Sequence, residues 1–336
     1  MARRARGRYL GGVRGLSLLV AGAVLVAISA CGGGGGGPAG AAAPGTPAPA
    51  AAPSVAPRLV LRVARVRGTD LHFVERGDGT PVVLVHGSVE TWDTWQPQLA
   101  TFAPAFRVIA YSRRYHPPNA TRPDSQAYAL ALHADDLIAL IEALGLERVH
   151  LVGSSYGAYV ALLVALRRPE LVRSLVLEEP PIVPWLARTP AGDSLRRGFE
   201  ETVTTPVRRA FARGDSVDAL RRYWDGVGGR PGRFDALAVP ARAALQRLAF
   251  ELSLEVRADP AVYAPMLPCA DVGRIRSPVL LITGQRSLRL FHVIMEELTR
   301  CLPAGEVVTL PGAGHAVHTD SPGAYNAVVL RFMTRN

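Results

Sequence analysis

A serine stands at the centre of the segment Gly153–Gly157, which reads Gly-Ser-Ser-Tyr-Gly. The segment follows an apolar, strand-like run at 150–152 and precedes a run with helical periodicity at 158–167. A serine on a tight turn between a strand and a helix exposes its hydroxyl, and the flanking glycines let the two backbones approach closely. The pattern predicts that Ser155 is a nucleophile and that Ser154 is its non-catalytic neighbour.

A base for this serine is expected further along the chain. The segment 311–315 reads Pro-Gly-Ala-Gly-His and comes directly after a predicted strand. Gly312 and Gly314 allow the backbone to turn sharply toward the serine, so His315 is predicted to be the base. His318 is the alternative, because it lies on the same loop or at the start of the next helix.

These residues need elements that position them. From residue 58 onward, apolar β-rich runs alternate with runs of 3.6-residue periodicity, a pattern typical of a mostly parallel sheet with helices on both faces. Strands are predicted at 59–66, 71–76, 82–85, 107–111, 150–152, 174–177, 279–283 and 306–310. Helices are predicted at 127–144, 158–167, 291–301 and 323–333. We therefore predict an α/β fold with an eight-stranded sheet that opens with an antiparallel pair.

The interval between the strands at 174–177 and 279–283 is too long for an ordinary crossover. It holds amphipathic segments rich in Arg, Ala and Leu and no convincing strand. We expect residues 181–268 to form a helical cap over the carboxyl edge of the sheet. Residues 58–180 and 269–336 would then form the α/β core.

The N-terminus has the features of an export signal. A basic start is followed by an apolar run and small residues, which predicts a signal peptide over 1–30. The segment 28–31 reads Ile-Ser-Ala-Cys and resembles the lipobox of bacterial lipoproteins, in which the cysteine, here Cys31, carries the lipid. Residues 31–57 are rich in Gly, Ala and Pro and predict a linker. We expect a chain exported and lipid-anchored on the extracytoplasmic or periplasmic side of a bacterial membrane; the alternative is a secreted protein cut near Ala30.

Composition bounds the remaining function classes. The chain of 336 residues is 49% hydrophobic and 20% charged, which allows a sizeable core. Its formal charge of +10 comes from 38 basic residues, all of them arginine. They are dispersed along the chain instead of clustered, so nucleic-acid binding is not expected.

One further motif completes a family resemblance. The predicted strand 82–85 ends in His86-Gly87-Ser88, and together with the serine and histidine motifs it resembles the α/β-hydrolase superfamily, specifically cap-bearing serine esterases of the epoxide-hydrolase-like and haloperoxidase-like groups. The resemblance implies acyl transfer on a small ester-like substrate without metal or organic cofactor. It also implies an oxyanion hole built from the backbone N–H groups of Ser88 and Tyr156, with His86 in a structural role. Dehalogenases and epoxide hydrolases of this fold carry Asp where Ser155 stands, which argues against both activities.

The acid of the expected triad is missing from its usual place. The turn Gly284–Ser287 reads Gly-Gln-Arg-Ser and offers no carboxylate. Some members of the superfamily place the acid after the preceding strand, where this chain has Glu178 and Glu179. Alternation along the strand sends these side chains to opposite sides, so only one can face the histidine. Glu179 is predicted because it resembles the matching glutamate of those members; Glu178, or a solvated strand end, is the alternative.

Other polar and aromatic residues carry weaker expectations. A helical triplet is predicted to lie on the surface and not to bind a metal: His133, Asp135 and Asp136. Aromatic residues after strands either line the acyl pocket or pack in the core: Trp92, Trp95, Tyr111 and Tyr115.

Two cysteines remain after Cys31, namely Cys269 and Cys301. Export would place them in an oxidising compartment, so a structural disulfide is expected; two buried free thiols are the alternative.

Three functions follow from these motifs. The first is a carboxylesterase-like hydrolase acting on a small or medium ester through an acyl-enzyme. The second uses the same triad on a lactone, an amide or, as a perhydrolase, peroxide. The third is a non-catalytic surface lipoprotein that has kept the fold.

Overall fold

The computed structural model describes residues 59–120, 128–302 and 304–336. The predicted signal peptide 1–30, the lipidation site Cys31 and the linker 31–57 lie outside the described residues. Among the helices described, none has the length and apolar character needed to cross a membrane.

Eight strands form one sheet in the order β1-β2-β4-β3-β5-β6-β7-β8. Their bounds are Arg62–Val66 (β1), Thr69–Arg76 (β2), Pro81–Val85 (β3), Arg107–Tyr111 (β4), Val149–Ser154 (β5), Val172–Glu178 (β6), Val279–Gly284 (β7) and Glu306–Leu310 (β8). β2 pairs antiparallel with β1 and with β4, and all other neighbours are parallel. The predicted eight-stranded, mostly parallel sheet is thus confirmed. Because the parallel strands end at one edge, the turns after β3, β5, β6 and β8 lie close together there.

Thirteen α-helices accompany the sheet in the described ranges. They are Gln96–Phe102 (α1), Leu130–Ala143 (α2), Tyr156–Arg167 (α3), Pro190–Phe199 (α4), Thr205–Ala212 (α5), Ser216–Val227 (α6), Val239–Gln246 (α7), Ala249–Arg257 (α8), Pro260–Tyr263 (α9), Cys269–Val272 (α10), Arg289–Cys301 (α11), Val317–Asp320 (α12) and Pro322–Arg335 (α13). A π-helical turn at Glu200–Thr204 joins α4 to α5, and short 3₁₀ turns lie at Trp92–Trp95, Pro169–Leu171 and Val183–Arg188.

The alternating side chains of the strands build two cores on opposite faces of the sheet. In β3, Val83 and Val85 pack with α2, α3 and α11, whereas Val82 and Leu84 pack with α1 and α13. All four valine and leucine side chains are fully buried. Apolar residues at successive positions are what a strand covered on both faces requires.

The long interval between β6 and β7 is helical. Helices α4 to α10 lie within it, and a third apolar cluster joins α5, α6, α7 and α8. Val89, from the turn after β3, packs into this cluster. The helical segment therefore meets the carboxyl edge of the sheet beside that turn.

Cys269 and Cys301 are joined by a disulfide, with their Cα atoms 5.2 Å apart. The bond ties the start of α10 to the end of α11. Neither cysteine contributes to the cavities around Ser155.

The surface placement predicted for part of α2 is wrong. His133 and Asp136 are 1% exposed and face the interior. The His133 ring packs edge-on against Tyr128 at 4.7 Å, and Asp136 accepts hydrogen bonds from Arg114 at 2.7 and 2.8 Å. The buried ion pair explains the error, because its arginine comes from a distant loop. Only Asp135 is partly exposed, where it pairs with arginine side chains.

The aromatic residues after β3 and β4 pack in the cores. Trp95, Tyr111 and Tyr115 are at most 3% exposed and belong to the two clusters on the sheet faces, and Trp92 packs against one of them. They do not line the large cavity at Ser155.

Candidate active site

Ser155 lies on the turn between β5 and α3 with φ of 50° and ψ of −123°. A non-glycine residue seldom adopts this backbone conformation, and such strain is typical of a serine held out at a strand end. The glycines around it are required by space. A Cβ on Gly153 would lie 2.6 Å from Ala158 Cα, and one on Gly157 would lie 2.1 Å from the Val85 carbonyl oxygen.

The structure brings Ser155, His315 and Glu179 together in one hydrogen-bonded chain. Ser155 Oγ lies 2.9 Å from His315 Nε2, and His315 Nδ1 lies 2.6 Å from Glu179 Oε2. Because a carboxylate only accepts, Nδ1 carries the proton and Nε2 is free to accept from the serine hydroxyl. The Phe291 ring stacks on the imidazole at 3.9 Å, which holds the plane of the ring.

Glu179 is fully buried and every one of its acceptor sites is used. Besides His315, it accepts from Thr283 Oγ1 at 2.5 Å, from the Gly284 N–H at 2.9 Å and from Ser287 Oγ at 2.9 Å. The end of β7 and the turn after it carry no carboxylate of their own, but they donate three hydrogen bonds to the carboxylate of Glu179. These bonds fix the carboxylate in the orientation that the histidine needs.

Glu178 serves a different histidine on the other side of the strand. Its carboxylate accepts from His318 Nδ1 at 3.0 Å and from the Val317 N–H at 2.7 Å. His318 is fully buried against Trp95, with ring centroids 4.2 Å apart. Burial lowers the pKa of His318, but the charge and hydrogen bond of Glu178, together with the charges of Glu90 and Asp320, raise the pKa overall. The Ser155 N–H donates to the Glu178 carbonyl oxygen at 2.7 Å, but the side chains of Glu178 and His318 form no hydrogen bond with Ser155.

The turn after β3 lies against the nucleophile, since a Cβ on Gly87 would be 3.1 Å from Ser155 Cβ. Two of its N–H groups already have partners: Gly87 donates to Glu90 Oε2 at 2.8 Å and Val89 donates to Glu251 Oε2 at 3.4 Å. The Ser88 N–H stands between them. Tyr156 N, the other predicted oxyanion donor, is at the first residue of α3 directly after Ser155.

Two cavities meet at the serine. A cavity of about 580 Å³ is lined by Ser155, His315, Ser88 and mainly apolar residues of the helical segment, including Phe199, Val256 and Ala264. A smaller one of about 60 Å³ lies on the side of the Gly87–Glu90 turn and touches Ser88, Ser155 and His315 as well. A volume of several hundred Å³ fits a small organic molecule. Most of the lining surface is apolar, and Arg196, Arg208, Glu200 and Glu255 border it as well.

Helix α8 carries two buried carboxyl groups, of which Glu255 lines this cavity. Glu255 accepts from Tyr263 Oη at 2.7 Å, and Glu251 lies 3.2 Å from His116 Nε2 and accepts from Tyr128 Oη. Burial raises the pKa of Glu255 to about 8, and the charge of Glu251 adds to the shift. Burial also raises the pKa of Glu251. The pair therefore retains a proton near neutral pH, as two neighbouring carboxyls in one apolar site do.

Comparison with known proteins identifies the family of this fold. Residues 80–322 match the family model described as the alpha/beta hydrolase fold. The chain belongs to this family. The match spans β3 to β8 and the helical segment between β6 and β7, whereas β1 and β2 precede it.

The similar proteins carry the names of different hydrolase activities. Bifunctional epoxide hydrolase 2 of Sus scrofa is 33% identical over 118 residues, which is 35% of this chain and 21% of that one. The chain thus matches about a fifth of the length of that relative. The crystal structure of carboxylesterase CesB from Bacillus subtilis has a TM-score of 0.63 at 19% identity and covers 83% of this chain and 93% of its own. An alpha/beta hydrolase from Sphaerobacter thermophilus has a TM-score of 0.62 at 26% identity over 81% of this chain and 100% of its own.

Sequence reasoning missed several buried polar residues around the site. Glu251, Glu255 and Arg113 lie in segments without a recognisable motif, and their contacts reach across the chain. A weak signal existed for Arg113, because Ser112–Tyr115 follows β4 at the edge where the active-site turns meet.

Proposed function

We propose that this alpha/beta hydrolase is a serine hydrolase that cleaves a small or medium carboxylic ester through an acyl-enzyme. The observation that carries the proposal is the chain of hydrogen bonds from Ser155 Oγ through His315 to Glu179. A hydroxyl, an imidazole and a carboxylate in this order are the parts of a nucleophilic triad.

In the first half of the reaction, Ser155 Oγ attacks the ester carbonyl carbon as its proton passes to His315 Nε2. Glu179 stabilises the imidazolium that forms, because it accepts from Nδ1 at 2.6 Å. The carbonyl oxygen becomes an oxyanion, which the N–H groups of Ser88 and Tyr156 would bind. The imidazolium then gives its proton to the departing alcohol, and an acyl group remains on Ser155.

In the second half, water replaces the alcohol. His315 takes a proton from the water, the resulting hydroxide attacks the acyl carbon, and the proton returns to Ser155 as the acid leaves. No group beyond the three side chains and the two N–H donors enters these steps.

The substrate class follows from the nucleophile and the cavity. Ser155 forms an ester intermediate where an aspartate would open an epoxide, so the epoxide-hydrolase activity named for one relative is not proposed here. The cavity of about 580 Å³ and its apolar lining favour an acyl or alcohol group of moderate size. We propose residues 181–268, which supply much of that lining, as a cap that shapes the pocket.

A panel of p-nitrophenyl esters from acetate to laurate, with matched lactones, amides and peroxide-dependent acyl transfer, tests the proposal. We expect ester hydrolysis by the mature protein and a loss of at least about 10³-fold in kcat for Ser155→Ala, with the fold retained. Faster turnover of lactone or amide would move the substrate class while keeping the triad. Unchanged activity in Ser155→Ala, or none in the wild type, would contradict it.

We also propose that the chain is exported and held on a bacterial membrane by lipid on Cys31. The sequence Ile-Ser-Ala-Cys at 28–31 supports this. Expressed with its own N-terminus in a bacterium, the wild type should enter the detergent phase on Triton X-114 partitioning, and Cys31→Ala should not become lipidated. Equal partitioning of the two proteins would contradict the anchor.

A further inference from the structure

The peptide unit between Gly87 and Ser88 has partners on its carbonyl side. Its N–H belongs to Ser88 and is one of the two proposed oxyanion donors. Its carbonyl oxygen belongs to Gly87 and accepts from Arg113 Nη2 at 3.0 Å and from His86 Nδ1 at 2.8 Å. In a trans peptide the N–H and the C=O point in opposite directions, so whatever fixes one fixes the other.

Arg113 holds two successive carbonyls of the turn. Its Nε donates to the His86 carbonyl oxygen at 3.0 Å, in addition to the bond from Nη2 to Gly87. A planar guanidinium can make both bonds at once, and a lysine ammonium offers no such fork. The guanidinium therefore sets the plane of the turn.

Arg113 also fixes the tautomer of His86. The Arg113 N–H donates to His86 Nε2 at 2.9 Å, so Nε2 accepts and Nδ1 carries the proton that goes to Gly87. Burial, with the nearby His116 and Arg113 charges, lowers the pKa of His86, which agrees with a neutral ring.

Arg113 is also a buried charge. It is 1% exposed, and its Nη1 donates to Tyr128 Oη at 3.4 Å, which in turn donates to Glu251. Its guanidinium carbon lies 5.0 Å from the centre of the Tyr156 ring, on the residue that supplies the other oxyanion donor. A cation in a site of low polarity acts on nearby dipoles far more strongly than it does in water.

We propose that Arg113 is a positioning residue of the oxyanion hole, which orients and polarises the Gly87–Ser88 peptide so that the Ser88 N–H binds the oxyanion. The role rests on the proposed function, because it needs an oxyanion to form at Ser155. Donors on a carbonyl strengthen the N–H of the same peptide, and a donor fixed in advance does not have to reorient during the reaction. No bond to Arg113 forms or breaks.

The neighbouring arginine offers a matched control. Arg114 is 4% exposed and forms a buried ion pair with Asp136 at 2.7 Å, on α2 and away from the Gly87 turn. Arg113→Gln and Arg114→Gln therefore both remove a buried guanidinium from the same loop. Only the first removes hydrogen bonds from the oxyanion turn.

The measurements are kcat and KM for p-nitrophenyl butyrate and the inhibition constant of an alkyl trifluoromethyl ketone, which adds to the serine and forms an oxyanion. We expect Arg113→Gln to lower kcat by about 10- to 100-fold and to raise the inhibition constant of the ketone by a similar factor. KM should stay within about twofold of the wild-type value, because loss of an oxyanion donor acts on the transition state. Arg113→Lys, which keeps the charge and loses the fork, should show a smaller loss. Arg114→Gln should lower Tm and leave kcat within about twofold.

Equal effects of Arg113→Gln and Arg114→Gln on kcat and on the ketone would overturn the proposal. A rise in KM alone would do so as well. Should Arg113→Gln not fold, Arg113→Lys answers the same question, and wild-type kcat and ketone affinity in that variant would count against the role. A wild type that neither hydrolyses the ester nor binds the ketone would instead overturn the proposed function.

Discussion

The two adjacent carboxylates at the end of β6 hold two different histidines. Glu179 accepts from His315, and Glu178 accepts from His318 on the opposite side of the strand. Strand alternation separates their directions, and a φ of 43° at Glu179 turns the chain away from β6 after it. Both side chains are fully buried, so burial does not distinguish their roles, whereas their partners do.

We expect Glu179→Gln to lower kcat by at least about 10²-fold, because an amide in its place neither fixes the tautomer of His315 nor stabilises the imidazolium. Glu178→Gln, the matched control, should lower Tm through the loss of its bond to buried His318 and leave kcat within about threefold. Ester hydrolysis by both purified variants checks this. Equal loss of kcat in the two, or none in either, would show that the acid is another group.

For single residues, local motifs predicted the nucleophile and the base, because Ser155 and His315 each stand in a short glycine-rich turn after a strand. The acid required knowing which side of β6 faces the histidine. Arg113 carried only the weak signal of its place after β4 and Glu251 carried none, since their partners lie 26 and 162 positions away in the chain. Contacts of that span depend on the packing of elements, which a single sequence does not specify.

Among the elements, the junction of β5 with α3 leaves no room for a side chain at its glycines. The Cβ of an alanine at Gly157 would lie 2.1 Å from the Val85 carbonyl oxygen and 2.4 Å from that of His86, on a strand that cannot move away. We expect Gly157→Ala to abolish soluble, folded protein or to lower Tm strongly. Gly198→Ala in α4, where nothing lies within 4 Å, should raise stability by about 0.5–1 kcal/mol. Similar melting temperatures for both variants would contradict the packing described.

The disulfide between Cys269 and Cys301 links α10 to α11. We expect no free thiol from Cys269 or Cys301 in the denatured, unreduced exported protein. Closing a loop with a sequence separation of 32 stabilises the fold by roughly 3 to 4 kcal/mol in the chain-entropy model. A Cys269→Ser, Cys301→Ser double variant should therefore melt earlier but retain kcat. Two reactive thiols in the wild type would exclude the bond.

Strands and core helices were predictable because apolar runs mark them: 107–111 and 306–310 coincide with β4 and β8. The burial of His133 was not, because the amphipathic pattern of α2 gives no hint that a histidine and an aspartate face inward. The segment 181–268 as a whole is rich in Arg, Ala and Leu, so the sequence predicted helices there without their bounds.

On the scale of the whole molecule, buried polar groups join the helical segment to the sheet. Glu251 on α8 accepts from the Val89 N–H and lies beside His116, while Glu255 contacts Tyr263 and the large cavity. A carboxyl pair with raised pKa values at this junction makes the stability of the fold depend on pH.

Between about pH 4.5 and 8 the folded protein keeps a proton on Glu255 that the unfolded chain has released, because burial raises its pKa from 4.5 to about 8. The folded state then binds more protons, so this group lowers stability as pH rises. Glu255→Gln removes the effect. We expect the Tm of Glu255→Gln to rise relative to that of the wild type between about pH 5 and pH 8, and the difference to change little above pH 8. A difference in Tm that is constant with pH would contradict the shift.

The central claim is that Ser155 is an activated nucleophile, and a covalent probe tests it most directly. The purified mature protein is treated with a fluorophosphonate, digested, and its peptides are weighed by mass spectrometry. We expect one phosphonylated peptide with the adduct on Ser155, complete loss of ester hydrolysis in step with labelling, and no adduct in Ser155→Ala. A wild type that stays unlabelled, or a Ser155→Ala protein that is labelled equally, would contradict the assignment.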